Sequence, residues 1–167
     1  MSQLKAESHT IVPFRKERHF FMIVSFIGNS MILNDDISEM KQKILRILEE
    51  RVGDKECHFY LGGYGWFDEF AKACCREYAK THNKCKLILV IPYINRKYYT
   101  KGYDDTLYPP LERVPHRLAI YSRNRYMIDK ADFVVFYVSY IRKARNFLEY
   151  AQKRKKPLIN ISNSGIN

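Results

Sequence analysis

Short apolar segments that alternate with amphipathic segments constrain the fold of this chain more than any other feature. Each apolar segment is nearly continuous, which is typical of a strand buried on both faces, and the segments between them carry apolar residues at helical spacing. Strands that alternate with helices form a mostly parallel sheet with helices on both faces. We therefore predict an α/β, Rossmann-like, three-layer α/β/α fold with a mostly parallel five-stranded sheet; if its order is 3-2-1-4-5, the crevice for a ligand lies between the ends of strands one and four. The predicted strands lie at 20–27, 57–61, 86–91, 133–138 and 157–161, and the predicted helices at 36–53, 66–80, 116–130 and 143–155.

The length of the chain, 167 residues, suits one domain with a substantial core. Hydrophobic residues make up 46% of it, and only seven glycines and six prolines occur, which excludes a disordered, collagenous or low-complexity protein. No apolar run reaches the roughly 18 residues that a membrane-spanning helix needs, so no membrane partner is expected. We predict a flexible N-terminal tail at 1–18 and a single domain at 19–167.

Basic residues precede the first predicted strand, as they precede the apolar region of a secretory signal peptide. They begin well inside the chain, at Arg15, and no small-residue cleavage site follows, which favours a buried strand.

The four cysteines show no CxxC spacing and are expected to be reduced thiols of a cytoplasmic protein. We expect no metal site and no cofactor.

The positive charge of the chain is concentrated in its second half. The net charge is +11, and residues 1–83 carry as many acidic as basic side chains, so the whole excess falls in residues 84–167. Such asymmetry indicates an anionic partner, most simply the phosphate of a nucleotide or of a nucleic acid. A well-solvated basic surface is the alternative.

A glycine turn at 62–65, with the sequence Gly-Gly-Tyr-Gly, lies between a predicted strand and a predicted helix. Glycine lets backbone N–H groups approach an anion, and a helix N-terminus adds about half a positive charge, so this context predicts a phosphate cradle. A tight strand-to-helix turn is the alternative. Asp68 and Glu69 favour the start of the helix but would repel a phosphate placed directly on it.

Two polar positions on the later helices are candidates for ligand contact. Asn124 shares a helix face with Ile120 and Met127, where it could bind a base or a ribose, or only a backbone carbonyl. Glu149 lies among inward-facing residues and could serve as an acid or base if burial raises its pKa. A salt bridge from Glu149 to a nearby arginine is the alternative.

A series of motifs in this chain resembles small bacterial proteins of the SLOG superfamily. The segment LGGYGWFDEF at 61–70 is similar to their signature LGGYGxFDxxA. Further similar segments follow in the same order, so that the resemblance extends over residues 20–161. They are CREY at 75–78, KLILVIPY at 86–93, DTLYPPL at 105–111, RLAIYSRNRYM at 117–127, AD at 131–132, LEYA at 148–151 and KKPLIN at 155–160.

The resemblance implies a Rossmann-like fold and a set of activities. The superfamily includes the Lonely Guy phosphoribohydrolases, the DNA-processing protein DprA and nucleotide-sensing modules. In the phosphoribohydrolases an arginine before the fourth strand and a glutamate on the next helix serve cleavage of the N-glycosidic bond of nucleoside monophosphates. By motif order these catalytic residues resemble Arg123 and Glu149. The resemblance also implies that the glycine turn matches the first glycine-rich loop, and it allows a homodimer.

The chain departs from the superfamily pattern at two places. Gly28, Asn29 and Ser30 follow the first predicted strand, where many small relatives have Gly-His-Arg or Gly-His-Ser. The second glycine-rich loop is replaced by the segment 141–145, which contains no glycine. Since such a loop cannot approach phosphate closely through its backbone, an anion there would be bound by side chains. The candidates for that role are Arg142, Lys143 and Arg145.

We expect the protein to bind a nucleotide or a nucleotide derivative beyond the carboxyl ends of the strands, where the strand order reverses. Two alternatives stay open: cleavage of the N-glycosidic bond by Arg123 and Glu149, and binding of single-stranded nucleic acid, as by DprA. The expected nucleotide-binding residues are Gly28, Asn29, Ser30, Gly62, Gly63, Tyr64, Gly65, Arg123 and Asn124.

Overall fold

Strands and helices alternate along most of the chain. The computed structural model describes residues 20–31, 35–139 and 142–163, so the predicted tail at 1–18 lies outside the described residues. The strands are β1 (Met22–Gly28), β2 (Cys57–Leu61), β3 (Cys85–Val90), β4 (Asp105–Leu107), β5 (Phe133–Tyr137) and β6 (Leu158–Asn160). The helices are α1 (Ile37–Arg51), α2 (Gly65–Ala79), α3 (Ala119–Lys130), which a 3₁₀ turn at His116–Leu118 precedes, and α4 (Arg142–Lys153).

The six strands form one sheet in the order β4-β3-β2-β1-β5-β6, and all five pairings are parallel. The five predicted strands have the order 3-2-1-4-5 within it, which confirms the Rossmann-like α/β class. The connection from β3 leads to the edge strand β4, and the chain then crosses to the other side of β1 to form β5. The order of the strands therefore reverses between β1 and β5, where the carboxyl ends of the strands leave a crevice.

The sequence predicts five strands, whereas the sheet has six. The additional strand is β4, which lies in the segment 93–115, and the sequence of that segment is typical of an irregular loop. β4 has only three residues, none of them fully buried, and therefore lacks the apolar pattern of a strand. Asp104 fixes it to the sheet: its carboxylate accepts hydrogen bonds from the Leu87 N–H at 2.7 Å and from Arg76 Nη2 at 2.6 Å. β4 also pairs with β3 over three residues, and Asp104 adds a side-chain attachment just before the strand.

The helices cover the two faces of the sheet in pairs. α1 and α2 pack with inward residues of β1 such as Val24 and Phe26, whereas α3 and α4 pack with the alternate residues Ile23 and Ile27. α1 begins where the sequence predicts, because the Asp36 side chain accepts hydrogen bonds from the first N–H groups of the helix. This arrangement is the three-layer order expected for a parallel sheet.

The four cysteines are buried free thiols: Cys57, Cys74, Cys75 and Cys85. Burial raises the pKa of the Cys74 thiol to about 12 and that of Cys85 to about 11, so both stay protonated and poorly nucleophilic at neutral pH. In the part of the chain that the structure describes, no group of three or more His, Cys, Asp or Glu side chains could hold a metal ion. None of the helices described is long and apolar enough to cross a membrane.

Gly28 ends β1 at a place where a side chain does not fit. A Cβ atom there would lie 2.3 Å from Cδ1 of Phe67, and that ring stacks on Tyr137 with a centroid distance of 5.5 Å. We expect Gly28→Ala to lower the free energy of unfolding by about 1–3 kcal/mol, because the displaced ring must strain a packed core. Urea denaturation measures this, and a loss below about 0.5 kcal/mol would show that Phe67 moves aside without strain.

Candidate functional site

A cleft with a volume of about 270 Å³ opens beyond the carboxyl ends of β1 and β2, under α3 and α4. It lies at the point where the strand order reverses, which is the usual ligand position in an open α/β sheet. We call it the central cleft. Its lining residues are Phe26, Ile27, Gly28, Asn29, Ser30, Gly62, Tyr64, Asp68, Ile120, Arg123, Asn124, Lys143, Ala144 and Phe147.

Arg123 is the largest polar side chain of the cleft and is only 2% exposed. Its Nη1 donates hydrogen bonds to the carbonyl oxygens of Gly62 at 2.8 Å and Val90 at 2.7 Å, and its Nε donates to Asn124 Oδ1 at 2.8 Å. Nη2 has no hydrogen bond to the described residues. The guanidinium therefore holds the ends of β2 and β3 together and keeps one nitrogen available to a ligand.

Gly62 is the residue that allows this arrangement. A Cβ atom at position 62 would lie 2.8–2.9 Å from three atoms of the Arg123 guanidinium. The ring of Tyr64 also lies beside the cation, with its centroid 5.5 Å from Arg123 Cζ. The first glycine of the turn is thus required by the close approach of a buried arginine.

Asn29 lines the cleft directly after β1 and is 3% exposed. Its backbone N–H donates to the Tyr137 carbonyl at 2.9 Å, and its side-chain Nδ2 donates to Oγ of the fully buried Ser139. The amide oxygen Oδ1 has no hydrogen-bond partner among the residues that the structure describes. Since buried polar atoms are nearly always paired, this acceptor indicates a place for a ligand or a bound water.

Asp68 lies in the first turn of α2 and is 8% exposed. One carboxylate oxygen, Oδ2, accepts a hydrogen bond from the Tyr64 N–H at 2.8 Å, and the other accepts none from the described residues. Burial raises the pKa of Asp68 to about 6, although the charge of Arg123 and the Tyr64 N–H oppose that shift. The cleft thus contains a carboxyl group that titrates close to neutral pH.

The glycine turn offers fewer free donors than its sequence suggests. The Tyr64 N–H is bound by Asp68, and the Trp66 N–H donates to the Ser30 carbonyl at 3.0 Å. Gly63 and Gly65 have positive φ values, +68° and +83°, and belong to the turn without lining the cleft. Two of the first N–H groups of α2 are therefore satisfied by the protein itself.

Among the predicted anion-binding residues, Lys143 at the start of α4 lines the cleft and is exposed. Arg145 instead donates through Nε to Glu149 at 3.1 Å on the outer surface of the same helix. Glu149 is outside the cleft lining, so the structure does not bring the predicted catalytic pair, Arg123 and Glu149, together in the cleft. The side chain of Arg142 lies outside the described residues.

Sequence reasoning did not select Asp68 as a site residue. A carboxylate in the first turn of a helix ordinarily stabilises the helix start. That common role gives no reason to expect the side chain in the lining of a cleft. The signal that could have found it is position, because Asp68 follows a glycine turn that ends a buried strand. Ile120 and Phe147 were also not predicted, since apolar lining residues look like core residues.

Comparison with known proteins adds the class of the fold. No protein-family model and no curated protein sequence matches the chain. Among solved structures, the protein TM1055 matches with a TM-score of 0.56 and 17% identity over 86% of this chain and 76% of that chain. The single-stranded-DNA-binding DNA processing protein A of Helicobacter pylori matches with a TM-score of 0.53 and 19% identity over 82% of this chain and 63% of that one.

A third solved structure, the Moco carrier protein of Chlamydomonas rheinhardtii, matches with a TM-score of 0.51 and 14% identity over 83% of this chain and 74% of that chain. These likenesses show the fold: the chain shares the Rossmann-like α/β fold of these three structures, which is the fold that its motif series implies. At identities below one fifth they carry no activity or ligand over to this chain.

Proposed function

We propose that the central cleft binds a nucleotide or a nucleotide derivative. The observation that supports this most is the set of three polar side chains, Asn29, Asp68 and Arg123, that line one cleft and are each more than nine-tenths buried. Each keeps one polar atom without a hydrogen bond to the described residues. Of these atoms, Asn29 Oδ1 is fully buried, and because leaving such an atom unpaired is costly, its place beside the other two favours a bound polar molecule.

The size and composition of the cleft favour a mononucleotide or smaller ligand. Pockets for drug-sized molecules measure about 300–1,000 Å³, and this cleft lies just below that range at about 270 Å³. Its lining joins apolar residues such as Ile27, Ile120 and Phe147 to a few polar groups. The combination suits a base and a sugar, with a phosphate placed where Lys143 reaches the mouth of the cleft.

Trp66 provides a direct readout of binding. Its backbone is bonded to Ser30 of the cleft lining, and its ring stacks on Phe70 with a centroid distance of 4.8 Å. Titration with a panel of nucleosides and nucleoside monophosphates, followed by Trp66 fluorescence and by melting temperature, should give a saturable response for at least one compound. Absence of any response across the panel would contradict the proposal.

Lys143→Gln separates the phosphate contact from the rest of the cleft. The side chain is exposed, so the substitution should leave folding intact, while the affinity for a nucleoside monophosphate falls about five- to tenfold through the loss of one charge-assisted contact. The affinity for the matching nucleoside should stay unchanged. Lys153→Gln, an exposed lysine in the last turn of the same helix, is the matched control. Equal affinities of both variants for the monophosphate would place the phosphate elsewhere.

Cleavage of an N-glycosidic bond by the predicted pair, Arg123 and Glu149, is less well supported than binding, because the Glu149 side chain pairs with Arg145 outside the cleft lining. A homodimer and a cytoplasmic location, both expected from the sequence, stay predictions.

Single-stranded nucleic acid is a second candidate ligand, on a different surface. Beyond β3, the Arg96 guanidinium lies 4.0 Å from the centre of the Tyr93 ring, which stacks on His116 at 4.4 Å. Tyr99 nearby is 71% exposed. Aromatic platforms beside cations are typical of single-strand binding. Affinity for an oligonucleotide should then fall steeply with added salt and fall further in Tyr93→Ala; a flat salt response would exclude this candidate.

A further inference from the structure

We propose that Asp68 makes the floor of the central cleft select an uncharged group with hydroxyl or amino donors, such as the sugar or base of a nucleoside, and exclude a phosphate from the glycine turn. This inference rests on the proposed function. It states which part of the ligand lies against the glycine turn. It reverses the expectation from sequence, in which the turn cradles phosphate. The phosphate, where the ligand has one, would lie toward Lys143 instead.

The occupancy of the helix terminus supports this assignment. A helix N-terminus attracts a phosphate through its free N–H groups and its partial positive charge. In α2 the Tyr64 N–H is taken by the Asp68 carboxylate, and the Trp66 N–H is taken by the Ser30 carbonyl. A carboxylate in this first turn also offsets the positive end of the helix dipole. A second anion there would meet a site already filled by the chain's own anion.

The polarity of the unpaired atoms gives the chemistry of the ligand. Asn29 Oδ1 and the second carboxylate oxygen of Asp68 are acceptors, Arg123 Nη2 is a donor, and all three residues line the same cleft. Acceptors bind O–H and N–H groups, and the hydroxyls of a sugar can donate to the two acceptors and accept from Arg123 Nη2. The phosphate of a nucleotide is mostly a dianion at neutral pH and presents acceptor oxygens, so it can satisfy Arg123 Nη2 but neither Asn29 Oδ1 nor the Asp68 carboxylate.

The charges around Asp68 do not outweigh its own negative charge, so this residue repels anions. From α3 it faces Arg123, whose charge is partly engaged by the carbonyls of Gly62 and Val90. From the segment before β4 it faces Tyr103, and on its own element it has Glu69 beside it. Arg123 is thus matched by the Asp68 carboxylate and Glu69 by Lys72, so the floor of the cleft has no excess positive charge.

The test compares wild type with Asp68→Asn, which keeps an oxygen for the Tyr64 N–H but removes the negative charge. At pH 7.5, inorganic phosphate should leave the melting temperature of the wild type unchanged and should raise that of Asp68→Asn. Adenosine should bind Asp68→Asn about tenfold more weakly, through loss of a hydrogen bond to a charged acceptor. Glu69→Gln removes the same charge one residue away, from an exposed side chain that pairs with Lys72, and should behave as the wild type.

A second comparison needs no substitution. At pH 5.0 the wild type itself should gain the response to inorganic phosphate, because Asp68 is then largely protonated. An equal phosphate response of wild type and Asp68→Asn at pH 7.5, or no gain in the wild type at pH 5.0, would overturn the inference. Failure of the proposed function is a different result: no nucleoside or nucleotide binds the wild type at either pH, whatever phosphate does.

Discussion

Replacement of Arg123 by methionine should lower the free energy of unfolding by about 3–5 kcal/mol, the range found when one partner of a buried charged network is removed. The guanidinium makes three hydrogen bonds, and two of them satisfy the carbonyls of Gly62 and Val90 at the ends of neighbouring strands. Methionine fills much of the volume but leaves both carbonyls without a donor in a buried place, and each such loss costs about 1–3 kcal/mol. Urea denaturation followed by circular dichroism measures the change.

Arg125→Met on the same helix is the matched control. Arg125 is exposed, lies over the faces of Tyr121 and Tyr150 at 5.7 and 4.2 Å from their centroids, and has a polar contact with the Tyr150 side chain. Its loss should change stability by less than about 1 kcal/mol, as expected for an exposed cation–π contact. If Arg123→Met were as mild as this control, Arg123 would not hold the strand ends, and its place in the cleft would need another explanation.

Asp68 should make the protein more stable in mild acid than at neutral pH. Its pKa is 3.8 when unperturbed and about 6 in the folded protein, so the folded state binds a proton more tightly than the unfolded chain does. Folding stability therefore rises as pH falls through 6, and the gain is complete only below the unperturbed pKa of 3.8. The shift corresponds to about 3 kcal/mol of stability that is absent above pH 7. Urea denaturation of the wild type at pH 8.0 and 4.5 should show about 2 kcal/mol of this gain.

Asp68→Asn isolates this contribution from other titrating groups, such as Asp104, whose pKa its ion pair with Arg76 lowers. The variant should lack the acid-side gain and should be more stable than the wild type at pH 8.0, because its buried amide carries no charge. Parallel pH profiles of wild type and variant would contradict the raised pKa of Asp68. They would also weaken its assignment as the residue that excludes phosphate.

Most of the fold is predictable from the sequence because the signals for its main elements are local. Buried parallel strands read as apolar runs, and the apolar stripes of α1 and α2 follow helical spacing, so five strands and four helices are found in the right order. β4 escapes this reasoning, since a three-residue edge strand has no pattern of its own. Part of its attachment comes from Asp104, which meets Arg76 and Leu87 only in the folded state.

The position of the site is predictable, but its chemistry is only partly so. Topology places the ends of β1 and β2 together, and the structure brings Asn29, Gly62, Arg123 and Asn124 to one cleft. Which atoms remain unpaired depends on distances that no sequence pattern specifies. Two contacts depend on such distances: the ion pair of Glu149 with Arg145, and the hydrogen bond from the Tyr64 N–H to Asp68.

The most direct test of the central claim is a crystal structure of the protein grown with a nucleoside monophosphate such as AMP. The account predicts electron density for the nucleotide in the central cleft, with a donor group within hydrogen-bond distance of Asn29 Oδ1 and the Asp68 carboxylate. It also predicts the phosphate on the side of Lys143. An empty cleft in crystals that hold the nucleotide elsewhere, or a phosphate seated on the glycine turn against Asp68, would contradict it.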